Sequence, residues 1–353
     1  MIIYSDLFTS PSVTCSLRST FDFKKTENFK EWCQQYKIRG VIAIHALHNA
    51  LILRTPGLVY GIIFGGTDLN EYSKDAEKLL EMTIVVANAK FLVSFNDAMR
   101  VIAEKLWPSH MHKLYTIPQS VGKTLPCPSF SVPAFLCRTL PSVFPTLQSS
   151  SDAIIFLLPA GLRPVKDVCF CIPAFSEWHL TSPAVFLIII GPEMDHDYSI
   201  QVKTYIKTFP GVYVLPALLQ SELYCFLLAS KACLNTSLSE GMSGVILEAM
   251  SLGVPIVARN ISGNAAIVTH LENGLLFDTP QQCVSLAKTL LEDKTLSSRL
   301  TTVALVNSQY LTLPSYLLTI TFVPGTYYYR THVVTGNFAL AEEVYLLLNT
   351  PRY

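Results

Sequence analysis

The strongest constraint on the fold is a repeated alternation of short, unbroken apolar runs with stretches of helical periodicity. The runs in the first half are VIAIH (41–45), LVYGIIF (58–64), KFLVSF (90–95) and KLYTI (113–117). The second half has AIIFLLPA (153–160), AVFLIII (184–190), GVYVL (211–215), KACLN (231–235) and VPIVA (254–258). An apolar run without polar alternation is a strand buried on both faces, and helix-length crossovers make such a sheet parallel. Helical segments are expected at 70–88, 96–106, 165–179, 197–208 and 243–252, the third of them kinked or interrupted by Pro173. The chain is therefore α/β.

The alternation pauses at residues 121–151, where Pro126, Pro128, Pro133, Pro141 and Pro145 precede a Ser-rich end. Proline suits neither a helix interior nor a central strand, so this stretch reads as a linker or irregular excursion between two α/β units. Domains are expected at 1–147 and 148–303, followed by a tail at 304–353 of different character. In that tail YLLTITFV and TYYYRTHVV read as strands and NFALAEEVYLLLN as a helix. No glycine precedes Gly40, so the start offers no Gly-rich strand-to-helix turn, and the N-terminal domain reads as incomplete.

Composition narrows the partners. The 26 Lys+Arg balance 26 Asp+Glu, and no basic stripe is present to hold phosphates, which argues against a nucleic-acid partner. With 50% hydrophobic and 15% charged residues, the chain can bury a large core and does not read as disordered. The longest uncharged stretch, Leu300–Tyr329, is broken by Pro314 and Pro324, so no transmembrane segment is expected. The first residues lack a basic, then apolar, leader. Nine cysteines, an odd and mostly scattered set, favour reduced thiols and a cytoplasmic location. Without a leader, the sequons at Asn235 and Asn260 read as coincidental.

Chemistry concentrates in NTSLSEGMSGVILEAMSLGVPIVARNISGNAAIVTHLENGLLF. Glu240 and Glu248 are eight positions apart; were the whole span helical, a rise of ~1.5 Å per residue would separate them by roughly 12 Å. That separation suits contact with the two ends of a nucleotide sugar, because ionised carboxylates accept hydrogen bonds from neutral hydroxyls. Gly241, Met242, Ser243 and Gly244 bring backbone N–H groups and a helix N-terminus together, a natural diphosphate site. A plainer account stays open: Glu240 complements the helix dipole and Glu248 lies on a solvated face. A second element, LLPAGLRPVKD, puts Arg163 and Lys166 after a buried strand, where two cations could neutralise a diphosphate leaving group or simply form a solvated basic turn.

The segments AGLRPVKD, SEGMSGVILEAMSLGVPIVARNISGNAAIV and GLLF, supported by FGGTDLNE and IPQS, resemble the retaining glycosyltransferases of family four. The resemblance covers roughly residues 40–300 and is strongest at 230–277. It implies a GT-B fold of two Rossmann-like domains facing a cleft, and sugar transfer with retention from a nucleotide diphosphate sugar. That donor is a co-substrate; no metal or other cofactor is implied, and the acceptor is left unknown. By resemblance Glu248 would hold ribose hydroxyls and Glu240 the donor-sugar hydroxyls. Arg163 and Lys166 would bind the diphosphate with backbone amides near Ser243 and Gly244. His45 would be a donor-facing catalytic histidine, though a histidine at a strand end also serves structure alone. Thr67 and Asp68 would face the acceptor, with a solvated turn the plainer account. The chain departs from the family pattern at its start, in the short Arg163–Lys166 spacing, and in its tail. These departures suit an alternative-splicing product or a divergent paralogue. They also keep a second reading open: a catalytically silent GT-B protein that binds a nucleotide or a protein partner.

Lesser signals read as structural. Asp195 and Asp197 fit the D-x-D pattern of metal-dependent glycosyltransferases of another fold, but acidic pairs are common in loops. His110 and His112 lack further ligands to complete a metal set. Cys169 and Cys171 fall in an apolar stretch and read as core. No nucleophile elbow or P-loop is present.

Overall fold

The computed structural model describes residues 17–19, 26–36, 38, 40–121, 125–312, 319–322, 331–332 and 345–348. Its strands are β1 (Leu17–Ser19), β2 (Val41–Ile44), β3 (Tyr60–Ile63), β4 (Phe91–Ser94), β5 (Leu114–Thr116), β6 (Ser120–Val121), β7 (Ile154–Pro159) and β8 (Val185–Ile190). There follow β9 (Val212–Leu215), β10 (Ala232–Asn235), β11 (Ile256–Arg259), β12 (Leu275–Phe277), β13 (Thr319–Phe322), β14 (Thr331–His332) and β15 (Tyr345–Leu348). Two six-stranded parallel sheets form, in the orders β1-β15-β2-β3-β4-β5 and β12-β11-β10-β7-β8-β9. In a third sheet β13 runs antiparallel to β14 and parallel to β6. The chain divides into two compact units: residues 1–122, 240–242 and 311–353, and residues 123–239 and 243–310.

The unbroken apolar runs become central strands for the reason their composition implies: β2, β3 and β8 are buried at every position. In the second unit β7, β8 and β9 run outward in one direction and β10, β11 and β12 in the other. This is the doubly wound order 3-2-1-4-5-6, with its topological switch between β7 and β10. Helices pack on the sheet faces through residues such as Phe175, Trp178 and Ala287 on one core and Leu227, Ile246 and Met250 on the other.

Helix boundaries follow their caps. The expected helix 70–88 is instead a short helix Gly66–Asn70, a turn at Tyr72–Lys74, and a helix Ala76–Asn88. The break comes from Asp75, whose carboxylate accepts from the N–H groups of Glu77 and Lys78 at 3.1 and 3.2 Å and so starts a new helix. The helix expected at 165–179 begins only at Ile172, because Pro173 fits the first turn, where its missing N–H costs nothing. Residues 121–151 are more ordered than a linker: helices Val132–Thr139 and Leu147–Ser151 form there, and Val132, Leu136 and Phe144 join the second unit's core. Ser131 caps the first of these, and Pro133 again occupies a first turn.

In the tail, Tyr345–Leu348 is a strand rather than part of the expected helix, paired in parallel with Val41, Ile42 and Ala43 of β2. Tertiary pairing there overrides a weak local helical pattern. The rest of that expected helix, and residues 1–16, lie outside the described residues. Among the described residues no helix is long and apolar enough to cross a membrane.

Candidate functional site

The second unit gathers its polar residues after the C-terminal ends of β7, β10 and β11, around the switch point where open α/β sheets bind ligands. After β7, Arg163 opens a tight turn Pro164–Lys166 that closes on Asp167, held in the left-handed region at φ 42°. Arg163 and Lys166 are half-buried, and Arg163 Nε is enclosed without a hydrogen-bond partner. The turn is sewn to the segment leaving β10: the Leu238 N–H donates to the Val165 carbonyl at 2.9 Å, and Thr236 Oγ1 donates to the Lys166 carbonyl at 3.0 Å.

Ser243 precedes the helix Gly244–Ser251 but makes no side-chain cap; its hydroxyl accepts from Asn235 Nδ2 at 3.1 Å instead. Asn235 Oδ1 in turn accepts from the Ser237 N–H and from Asn264 Nδ2, at 3.1 and 3.0 Å. This buried amide network fixes the residues around the helix N-terminus, whose first N–H groups carry the positive end of the helix dipole. Asn235 is so engaged, and only 4% exposed, that its sequon is closed in the folded chain.

Glu248 lies on that helix and is 2% exposed, which corrects the solvated-face account. Its neighbours Ile246, Leu247, Ala249 and Met250 are buried as well, so this helix has no wet side at that level. Glu248 Oε2 has no hydrogen-bond partner, and burial pushes the carboxyl up to about 8, against a smaller lowering from the Gln220 amide. Gln220 is also 2% exposed, with an unpartnered Nε2. An unsatisfied buried polar atom costs ~1–3 kcal/mol, so Glu248 Oε2 and Gln220 Nε2 detract from stability as they stand.

The first unit places His45, Thr67 and Asp68 together. His45 follows β2 at φ 72°, a conformation costly for a residue with a Cβ, and Asn49 Nδ2 pins it by donating to the carbonyls of Ile44 and His45 at 2.6 and 2.7 Å. Asp68 is fully buried, which corrects the solvated-turn account of it. One of its oxygens accepts from the N–H groups of Ala46 and Gly65, both at 3.0 Å, and lies 3.3 Å from His45 Nδ1; the other accepts from the Leu47 N–H at 3.4 Å. Burial alone would raise the Asp68 carboxyl, but the His45 charge and these hydrogen bonds outweigh it and hold the group low. The His45 ring lies directly over Gly65, where any Cβ would overlap it. His48 stacks edge-on against His45 at 5.2 Å, and Tyr72 Oη lies 3.2 Å from His48 Nε2. Thr67 is half-buried in the first turn of Gly66–Asn70, and Glu240, also half-buried, groups with this unit.

Other readings resolve simply. Asp195 caps the helix His196–Tyr205 by accepting from the Tyr198 N–H at 2.9 Å. Among the described residues no group of three or more His, Cys, Asp or Glu side chains could hold a metal ion. Sequence reasoning missed Gln220, Asn235, Asn264 and Arg259. The first three carried no local signal, whereas Arg259 stood out as a cation ending an otherwise apolar strand.

Residues 153–293 match the family of glycosyl transferases group 1. The chain is 37% identical over 287 residues to glycosyltransferase 1 domain-containing protein 1 of Xenopus tropicalis, covering 81% of each chain. Among solved structures, HepE of Anabaena in complex with UDP-glucose is similar at a TM-score of 0.65 and 17% identity, covering 80% of this chain and 77% of that one. Sucrose-phosphate synthase of Thermosynechococcus elongatus is similar at 0.63 and 18%, covering 81% and 72%. Two parallel sheets, the polar cluster at a switch point and this extent of identity lead to one assignment: the chain belongs to the glycosyl transferases group 1 family and is a glycosyltransferase of the GT-B fold.

Proposed function

We propose that this glycosyltransferase moves a sugar, with retention, from a nucleotide diphosphate sugar to an acceptor hydroxyl. The observation that carries the donor site is the second unit's switch point. Two cations, Arg163 and Lys166, follow β7, and an uncapped helix N-terminus follows β10, the arrangement that favours a diphosphate. Glu248 accepts ribose hydroxyls at its unpartnered oxygen, gaining the hydrogen bonds that its burial denies it. Glu240 accepts from hydroxyls of the donor sugar, and Thr67 and Asp68 belong to the acceptor side, Asp68 through the backbone it holds rather than by direct contact.

In the reaction the bond between the anomeric carbon and the diphosphate oxygen breaks, and the acceptor oxygen bonds to that carbon on the same face. The acceptor proton passes to the departing diphosphate. Arg163, Lys166 and the backbone N–H groups near Ser243 and Gly244 stabilise the negative charge that grows on the leaving group, without a metal ion. His45, held by Asp68, faces the sugar. Bound HepE supports a uridine donor, since that protein was solved with UDP-glucose. The eight free cysteines among the described residues support a reducing, cytoplasmic setting.

Calorimetric titration with UDP, GDP and their sugar conjugates tests the donor, and proton NMR of the sugar first released from UDP-glucose into water tests the stereochemistry. Saturable UDP binding and initial release of the α-anomer are expected. A folded chain that binds none of these nucleotides would favour the catalytically silent reading, and initial β-anomer would overturn retention.

A further inference from the structure

Arg259 ends β11, and its guanidinium meets three residues on two separate segments. Nη1 donates to Asp167 Oδ2 at 2.8 Å and to the Thr236 carbonyl at 3.3 Å, while the guanidinium carbon lies 3.9 Å from the centre of the Phe170 ring. The Arg259 and Asp167 side chains are 20% and 29% exposed, enough shielding for the pair to hold one geometry. Asn264 Nδ2 donates to the Arg259 carbonyl at 3.0 Å and so ties its backbone to the Asn235 network. Asp167 is the residue that closes the Arg163–Lys166 turn, in a left-handed conformation that needs outside support. Thr236 bonds the same turn from the other side.

Building on the diphosphate role given above to Arg163 and Lys166, we propose that Arg259 is a positioning residue for the donor diphosphate: paired with Asp167 and stacked on Phe170, it sets the cationic turn against the segment leaving β10. Its own charge is spent on Asp167, so it acts through the turn. Nη1 alone serves both acceptors, so what a lysine ammonium cannot copy is the planar guanidinium face held over the Phe170 ring while that nitrogen donates.

The test compares UDP with uridine by calorimetry, because only UDP reads the diphosphate half of the site. Wild type should bind UDP much more tightly than uridine; if it does not, the donor-site reading itself fails. Arg259→Met should weaken UDP by about tenfold or more and leave uridine unchanged, and Arg259→Lys should recover little of the loss. Asp167→Asn gives the decisive sign. Removing a negative charge beside Arg163 and Lys166 should tighten UDP by simple electrostatics, whereas loss of the positioning pair should weaken it. Weaker UDP with unchanged uridine in Asp167→Asn supports the proposal. Unchanged or tighter UDP in that variant overturns it while leaving the donor site standing. A parallel loss of UDP and uridine also overturns it, by reducing Arg259 to a purely structural role, and so does full recovery in Arg259→Lys.

Discussion

Asp68 in the first unit and Glu248 in the second are both carboxyl groups removed from water, at 0% and 2% exposure, yet their surroundings are opposite. Asp68 accepts from three backbone N–H groups and sits against His45, and its carboxyl is held low. Glu248 has an oxygen with no partner at all, and burial pushes it up to about 8. A carboxylate that the fold satisfies belongs to the scaffold. One that the fold desolvates and leaves short of partners still has an acceptor to offer. The same residue chemistry is thus satisfied by the fold in one unit and left unsatisfied in the other, and the binding role proposed for Glu248 rests on that difference.

The largest effect should come from breaking the satisfied member. Asp68→Ala strands the N–H groups of Ala46 and Gly65 in a dry interior, unpairs that of the partly buried Leu47, and frees the strained His45 turn. A loss of about 3–5 kcal/mol in urea unfolding is expected, as for removal of one partner from a buried charged network. A loss below about 1 kcal/mol would show that water reaches those amides and would erase the contrast with Glu248.

Much of this was legible in the sequence, and the rest has identifiable physical reasons for being hidden. β2, β3 and β8 were readable because burial on both faces leaves an unbroken apolar run. The Glu240–Glu248 spacing and the Arg163–Lys166 pair were readable because each is local. The burial of Glu248 is hidden from the spacing of the two glutamates alone, although the apolar residues on both sides of it, ILEAM, carry the signal: a helix apolar all round has no solvated face. Asp68 reads as a solvated turn in sequence because two of the three N–H groups it serves, those of Ala46 and Leu47, lie on the loop after β2, about twenty residues earlier. The Arg259–Asp167 pair joins residues 92 positions apart, so no window of sequence contains it. The Tyr345–Leu348 strand is set by pairing with β2 at the far end of the chain, which local helical pattern does not report.

A smaller effect of opposite sign is expected at the unsatisfied member. Between the ordinary carboxylate range and about 8, folded Glu248 keeps a proton that the unfolded chain has lost. Stability therefore falls as pH rises through that window and levels off above it. Glu248→Gln removes the charge at every pH, so its unfolding free energy should exceed wild type by about 2–4 kcal/mol at pH 8 and converge with it near pH 4. UDP binding should move the other way, tightening with pH in wild type as the ionised acceptor is drawn on, and weakening about tenfold or more in the variant. Equal pH slopes in the two proteins would mean that Glu248 is solvated after all.

The smallest effect on stability, and the finest cut between frame and function, comes from Gly65→Ala. Gly65 has φ −82° and ψ 161°, extended values that alanine adopts freely, so the backbone itself is not strained by the change. The added Cβ falls within the His45 ring, which must swing away from Asp68 while the Gly65, Ala46 and Leu47 N–H bonds to that carboxylate stay in place. Alanine's smaller unfolded-state entropy offsets part of the lost packing, so unfolding should shift by no more than about 1 kcal/mol. Sugar release from UDP-glucose should nonetheless drop to the level of His45→Ala, with UDP affinity unchanged, because the ring and not the scaffold has been moved. If release persists at the wild-type rate, Asp68 and His45 are both frame, and the first unit contributes position alone to the chemistry.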